Sequence, residues 1–246
     1  MKINTKGLII KDSALQNEDR LVTILTPDLG MIRAFVKRAR RVKGTSAAAT
    51  QLLGYSNLTL FKNRDTYSVD EADAVDIFFE LRGDIERLSL AQYFCEICCV
   101  FGTEGGEASE ELRLVLNCLY MLARNKELSP TMIKAIFELR MAAIGGFMPE
   151  LVECARCGNE TENMYFSVTD GTLFCGECAG GIHMPVPAGV LAAMRHICYC
   201  DLKRIFSFSL PDEGMKMLSD ITESYLLAQT DKEFTALKFY KSLFEI

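Results

Sequence analysis

Two C-x-x-C pairs carry the most specific chemistry in this sequence: Cys154 with Cys157, then Cys175 with Cys178, separated by 17 residues. Each pair forms a tight knuckle that presents two thiolates, and two knuckles complete a tetrahedron around one ion. Gly158 and Gly176, beside the knuckles, suit sharp backbone turns. The spacing predicts one metal per chain, Zn²⁺, held by Cys154, Cys157, Cys175 and Cys178; iron shares this ligand set, and spacing does not separate the two. Four protein ligands leave no open position for water, so the ion is expected to be structural and not catalytic.

A second constellation is cationic. Lys37, Arg38, Arg40, Arg41 and Lys43 leave a strand-like segment and run into small residues at Gly44 and Thr45. Alone, such a run is most simply a solvated charged face. Side chains alternate along a strand, however, so Arg33, Phe35 and Lys37 share one face while Ile32, Ala34 and Val36 take the other. A ring flanked by cations is what base stacking combined with phosphate neutralisation requires. The expected nucleic-acid contact is therefore Arg33, Phe35, Lys37, Arg38, Arg40, Arg41 and Lys43, and the competing reading makes Phe35 a core residue.

Catalytic constellations are thin. His183 and His196 are the only histidines, and His183-Met184-Pro185 lacks the H-x-E element of zinc deaminases. No G-x-x-x-x-G-K-[ST] phosphate loop is present, and residues 102–106 read as a connection between helices. Glu110 and Glu111 suit the first turn of a helix, where negative charge meets the positive helix end. Cys198 and Cys200 are read as core thiols.

The elements that must position these residues change character along the chain. Strand-like runs at 7–11, 20–26, 31–37, 56–62 and 67–72 fill the first part, and Pro27-Asp28-Leu29-Gly30 supplies turn chemistry for a hairpin. Five short strands in so few residues point to a small barrel such as an OB-fold. From about residue 77 the period is helical. The segment 85–101 is apolar nearly all round and should be a buried helix. A second carries Leu112, Val115, Leu116, Leu119 and Ala123 on one stripe, with Ser109 as its expected cap. A third has Ser129 as N-cap, Pro130 at N1 and Gly145-Gly146 as its stop. Helical patterns resume at 188–198, 213–227 and 232–244 after the Cys-rich segment. The fold class expected is α+β, divided as a barrel at 1–76, helices at 77–151, a zinc module at 152–183 and further helices at 184–246.

The 246 residues, 49% hydrophobic, are enough to bury a sizeable core. No apolar stretch reaches membrane or signal length, so a cytoplasmic protein with reduced thiols is expected rather than a disulfide scaffold or a membrane protein. The net charge is −6, yet residues 1–50 hold ten Lys and Arg against four Asp and Glu. A basic head on an acidic body is the asymmetry of a localised polyanion site.

The ordered set of segments resembles the DNA repair protein RecO family. The residues that carry it are Lys6-Gly7-Leu8-Ile9-Ile10, the run from Glu18 to Thr26, Gly30-Met31-Ile32-Arg33-Ala34, and Lys37-Arg38-Ala39-Arg40-Arg41. The C-x-x-C-G at Cys154, Tyr165-Phe166-Ser167 and the pair at Cys175 are similar to its zinc-bearing members. The resemblance spans the chain from end to end. It implies an N-terminal OB-fold, a helical domain containing the zinc module, and no enzymatic turnover. It further implies binding of single- and double-stranded DNA, annealing of complementary strands, and loading of RecA with the partner RecR. The strands concerned are coated by single-stranded DNA-binding protein, whose acidic, apolar C-terminal tail such proteins dock. For that tail we expect a pocket in the helical half, with Arg140 on the apolar stripe after Pro130 as the cation that meets the terminal carboxylate; a long cation snorkelling from the core edge is the plainer reading. A nucleoid-associated location follows from these partners. Phe35 stands where the family more often has a smaller apolar residue, so its stacking role is specific to this chain.

Two other classes use some of the same residues. A zinc-ribbon transcription regulator would read duplex sequence through a helix or strand in a groove. A metal-dependent hydrolase needs an open metal position and His or carboxylate ligands, where this sequence offers four cysteines.

Overall fold

The computed structural model describes residues 1–15, 19–37, 45–63, 66–181 and 184–244. The fold is α+β, and its contacts divide the chain into two compact units, Met1–Lys126 with Phe234–Ile246, and Glu127–Glu233.

In the first unit, β1 (Lys2–Ala14), β2 (Arg20–Thr26), β3 (Gly30–Val36), β4 (Tyr55–Asn63) and β5 (Thr66–Asp76) close a barrel in the order β1-β2-β3-β5-β4. Neighbours are antiparallel except β3 and β5, whose parallel pairing of Ala34 with Tyr67 and Phe35 with Ser68 shuts the barrel. A short helix, α1 (Thr45–Ala49), lies between β3 and β4 in sequence. This is the OB-like barrel that the five strand patterns predict. Period-two alternation explains its interior: Ile9, Val22, Ile24, Ile32, Leu58 and Leu60 meet in one cluster. Each such side chain, fully buried, contributes about 1.5–3 kcal/mol.

The strand β1 is longer than its apolar run suggests. Its polar start pairs with β4, Ile3 against Leu60, and a bulge between Ile9 and Lys11 shifts its register against β2. Leu8, Ile9 and Ile10 are all buried in succession, which strict alternation forbids for a barrel wall facing water. The helices of this unit cover the outside: α2 (Ile85–Phe101) packs on β1, on α3 (Ser109–Arg124) and on α7 (Thr235–Ser242). The nearly all-apolar circumference of α2 is thereby accounted for, with Tyr93 edge-on to Phe234 at 5.3 Å.

Ser109 does not cap α3. The N-cap position belongs to Ala108, and the Ser109 hydroxyl donates instead to the Pro27 carbonyl at 3.3 Å. The helix start is set from outside, because the Ala108 N–H also donates to Pro27. The connection at 102–106 joins α2 to α3, and it also runs along the β2–β3 turn, bridging Gly30 with Glu104.

The second unit opens with α4 (Pro130–Ile144), whose Ser129 accepts the Met132 N–H at 3.1 Å and whose end at Gly145-Gly146 has Gly146 at φ 96°. A four-stranded sheet follows, β6 (Glu150–Cys154), β7 (Met164–Ser167), β8 (Thr172–Cys175) and β9 (Met184–Val186), in the order β6-β8-β7-β9. Then α5 (Ala188–Tyr199) and α6 (Asp212–Thr230) pack against α4. The centre of this helical layer is charged. Lys134 Nζ lies 2.9 Å from both Glu138 Oε1 and Glu223 Oε2, and Thr222 donates to Glu138 at 2.8 Å. Burial works against the Lys134 charge, but Glu138 and Glu223 outweigh it and raise the ammonium pKa above its ordinary value.

Candidate functional site

The four cysteines of the paired knuckles converge. Strands β6 and β8 run parallel, with Cys154 opposite Leu173, so Cys154 and Cys175 are delivered at the same end of the two strands. The first knuckle turns back through the Gly158 N–H donating to the Cys154 carbonyl at 2.9 Å, with Gly158 at φ 72°. The second is closed by the Cys178 and Ala179 N–H groups, both donating to the Cys175 carbonyl at 2.9 Å. All four Sγ atoms lie within 4.8 Å of one another. A tetrahedral ion with metal–sulfur bonds of about 2.3 Å needs sulfur–sulfur edges of about 3.8 Å. The Cys157–Cys175 edge is 3.7 Å, so the donor set fits a metal ion.

The thiols are unequal. Burial pushes Cys154 up, but N–H donors from Cys175, Cys157 and Arg156 outweigh it and bring this thiol down to about 6. Its neighbour Cys178 is pushed up to about 12, first by its hydrogen bond with Cys175 and then by burial. Four sulfurs this close cannot all be charged by themselves, and a cation that binds them displaces their protons.

On the barrel, β3 presents Arg33 exposed and Phe35 half-buried on the outer face, Lys37 follows exposed, and Ile32, Ala34 and Val36 are buried inside. Phe35 thus sits outside the barrel core, at the wall of a groove of about 720 Å³ that also takes Met31, Arg33, Lys62 and Tyr67. Lys62 places its ammonium 5.4 Å from the centre of the Tyr67 ring. Sequence reasoning missed this pair. The two residues face each other across the β4–β5 hairpin, and the signal that could have found them is the same cation-and-aromatic pairing as around Phe35. Asp28 and Glu104 line the groove as well. Arg38, Arg40, Arg41 and Lys43 lie outside the described residues.

Arg140 is half-buried on α4, and its guanidinium donates to the carbonyls of Ile197 and Cys198 in the last turn of α5. There it satisfies helix-end acceptors and meets the negative end of the helix. His196 Nε2 is 2.9 Å from the Arg204 carbonyl and its ring lies against Phe208, a packing role; His183 is outside the described residues. Cys198 is buried and pushed up to about 12 by that burial, as befits a core thiol. Among the described residues no helix is long and apolar enough to cross a membrane.

A closed OB-like barrel with a cationic outer strand, joined to helices that carry a four-cysteine module, is the architecture of a two-part OB-barrel protein rather than of a lone zinc ribbon. Comparison with known proteins is more specific. The family model described as Recombination protein O N terminal matches residues 1–78, and that described as Recombination protein O C terminal matches residues 82–238. The DNA repair protein RecO of Acetivibrio thermocellus is 33% identical, with 98% of this chain and 97% of that protein covered. Those of Alkaliphilus metalliredigens and Caldicellulosiruptor bescii are 29% and 28% identical, over 99% and 97% of this chain and 100% and 98% of theirs. The chain belongs to the RecO family of DNA repair proteins.

Proposed function

We propose that the chain is a recombination mediator without enzymatic turnover. It binds single- and double-stranded DNA, anneals complementary strands, and with RecR loads RecA onto strands coated by single-stranded DNA-binding protein. The observation that carries this reading is the outer face of β3, where Arg33 and Phe35 line a groove on an OB-like barrel of a RecO-family chain and Lys37 follows exposed just beyond the strand. Residues 1–76 act as the DNA-binding part, with Arg38, Arg40, Arg41 and Lys43 extending the phosphate contact and Phe35 stacking on a base. In sequence a zinc module at 152–183 falls between helical segments at 77–151 and 184–246, and in it Cys154, Cys157, Cys175 and Cys178 hold one structural Zn²⁺. Arg140 serves the docking of the coating protein's acidic, apolar tail, and the protein works in the cytoplasm at the nucleoid. A strand-annealing assay with and without the cognate coating protein tests the proposal. A mediator anneals in both cases, whereas a sequence reader anneals in neither.

A further inference from the structure

The groove beside β3 holds two pairs of ring and cation, not one. Phe35 and Arg33 supply the first pair from β3. The second is Tyr67 with Lys62, register partners across β4 and β5, the ammonium standing 5.4 Å from the ring centre. Both pairs line the same cavity. They are also neighbours in the sheet, because Tyr67 lies opposite Ala34 and Ser68 opposite Phe35 where β5 joins β3. The two rings therefore start one residue apart on strands spaced by about 4.8 Å. Tyr67 is half-buried, packed against the barrel core on one side and lining the groove on another, while Lys62 is exposed.

The charges of the groove restrict its occupant. Asp28, which accepts the Thr5 hydroxyl at 2.6 Å, lines it together with Glu104. Glu104 comes from the α2–α3 connection and is bridged through its backbone to Gly30 at the start of β3. A duplex shows phosphates on both flanks and no free ring face, so it meets these carboxylates and gains nothing from Phe35 or Tyr67. An acidic peptide is repelled by the same carboxylates, and a basic one by Arg33 and Lys62. An unpaired strand suits every group. Each nucleotide brings a ring face for an aromatic, a phosphate for a cation, and N–H donors on its base edge for a carboxylate. On the DNA-binding reading above, we propose that Tyr67 and Lys62 form a second nucleotide subsite beside that of Phe35 and Arg33, and that this subsite makes the groove selective for single strands.

The test titrates the full-length, metal-loaded protein with oligo-dT, with a fully abasic strand of the same length and charge, and with a duplex of that length. Tyr67→Leu keeps an apolar side chain against the core and removes the ring. It should weaken oligo-dT binding by about tenfold or more and leave the abasic strand and the duplex unaffected. Tyr67→Phe should restore oligo-dT binding, since stacking needs the ring and not the hydroxyl. Lys62→Met keeps most of the stem without the charge, and should flatten the log–log salt slope for oligo-dT by about 0.7 with the duplex slope unchanged. Circular dichroism and metal content establish that each variant is folded, and exposed Lys62 still decides the matter where Tyr67→Leu does not fold. The subsite is overturned if folded Tyr67→Leu keeps the preference for oligo-dT over the abasic strand. It is equally overturned if all three probes weaken alike, since the ring is then only a staple of the hairpin, or if Lys62→Met leaves the slope unchanged. Phe35→Ala, run alongside, separates the two readings. If it removes the preference and Tyr67→Leu does not, only the second subsite falls. If neither does, or oligo-dT does not bind, the DNA-binding reading of this barrel face falls with it.

Discussion

The backbone N–H of Met31, at the head of β3, donates to the carbonyl of Thr103 at 2.9 Å. Gly105 N–H donates to Leu29 at 3.2 Å and Ala108 N–H to Pro27 at 3.0 Å, so the α2–α3 connection clasps the turn end of the β2–β3 hairpin, from Pro27 to Met31. The hairpin that carries Arg33 and Phe35 is held by helices, not by its turn alone.

Gly30 is the residue that permits this clasp. It has φ 64°, and a Cβ there would lie 2.4 Å from the Thr103 carbonyl oxygen and 2.9 Å from that of Gly106. Both obstacles are backbone and cannot swing away. Gly30→Ala should destabilise the protein by about 1–3 kcal/mol, from left-handed strain and displacement of the connection. Denaturant midpoints check this, and an unchanged midpoint contradicts it.

The metal prediction concerns Cys157, the most exposed of the four ligand cysteines. Cys157→Ser should remove the metal found by elemental analysis and weaken the cooperative unfolding of the unit Glu127–Glu233, because structural metal binding contributes directly to folding free energy. The wild-type metal should be released on acidification, as protons compete for the thiolates. Protein purified anaerobically without metal, yet equally stable, contradicts the assignment.

Much of this architecture is legible in the sequence. The alternation of Ile32, Ala34 and Val36 with Arg33, Phe35 and Lys37 places inside and outside correctly, and Cys-x-x-Cys spacing identifies a cluster that closes to 3.7 Å along one edge. What is not legible is long-range partnership. Periodicity marks α2 as buried but not that β1 and α7 cover it. A cap rule assigns Ser109 to α3, but a contact with Pro27, 82 residues away, takes its hydroxyl. Likewise no local pattern places Lys134 and Glu138 inside the helical layer; Glu223 and Thr222, arriving from α6, make the pair tolerable there.

That buried network gives a pH-dependent prediction. Lys134→Met should cost about 3–5 kcal/mol at neutral pH, because it strands the Glu138 charge in the core. Replacing Glu138 by Leu in the same chain should recover much of the loss. Burial raises the Glu138 pKa above its ordinary value even against the pull of Lys134. A raised folded pKa favours the native state below the unfolded value of about 4.3, and that contribution is lost as pH rises through the folded value. The penalty of Lys134→Met should accordingly shrink as pH falls and Glu138 takes up its proton. Lys134, whose folded pKa is also raised, adds stability that is present below about 10.4 and is lost as pH rises through its folded value. Urea titrations of both proteins across acid and alkaline pH check these signs; a penalty constant with pH contradicts them.

Phe35 separates stacking from charge. Phe35→Ala should weaken single-strand binding by about 1–3 kcal/mol with little change in salt dependence, because stacking releases no counterions. A changed salt slope at constant high-salt affinity contradicts the stacking role.

The central claim is that the cationic continuation of β3 is the main DNA contact, and salt-dependent binding of a labelled single strand tests it most directly. If about five of Arg33, Lys37, Arg38, Arg40, Arg41 and Lys43 neutralise phosphates, the log–log slope is roughly −3.5, and each removal flattens it by about 0.7. The account predicts that simultaneous reversal of Lys37, Arg38, Arg40 and Arg41 to Glu abolishes most of the affinity and flattens the slope toward zero. Unchanged affinity and slope in that variant, still folded by circular dichroism, would place the DNA elsewhere.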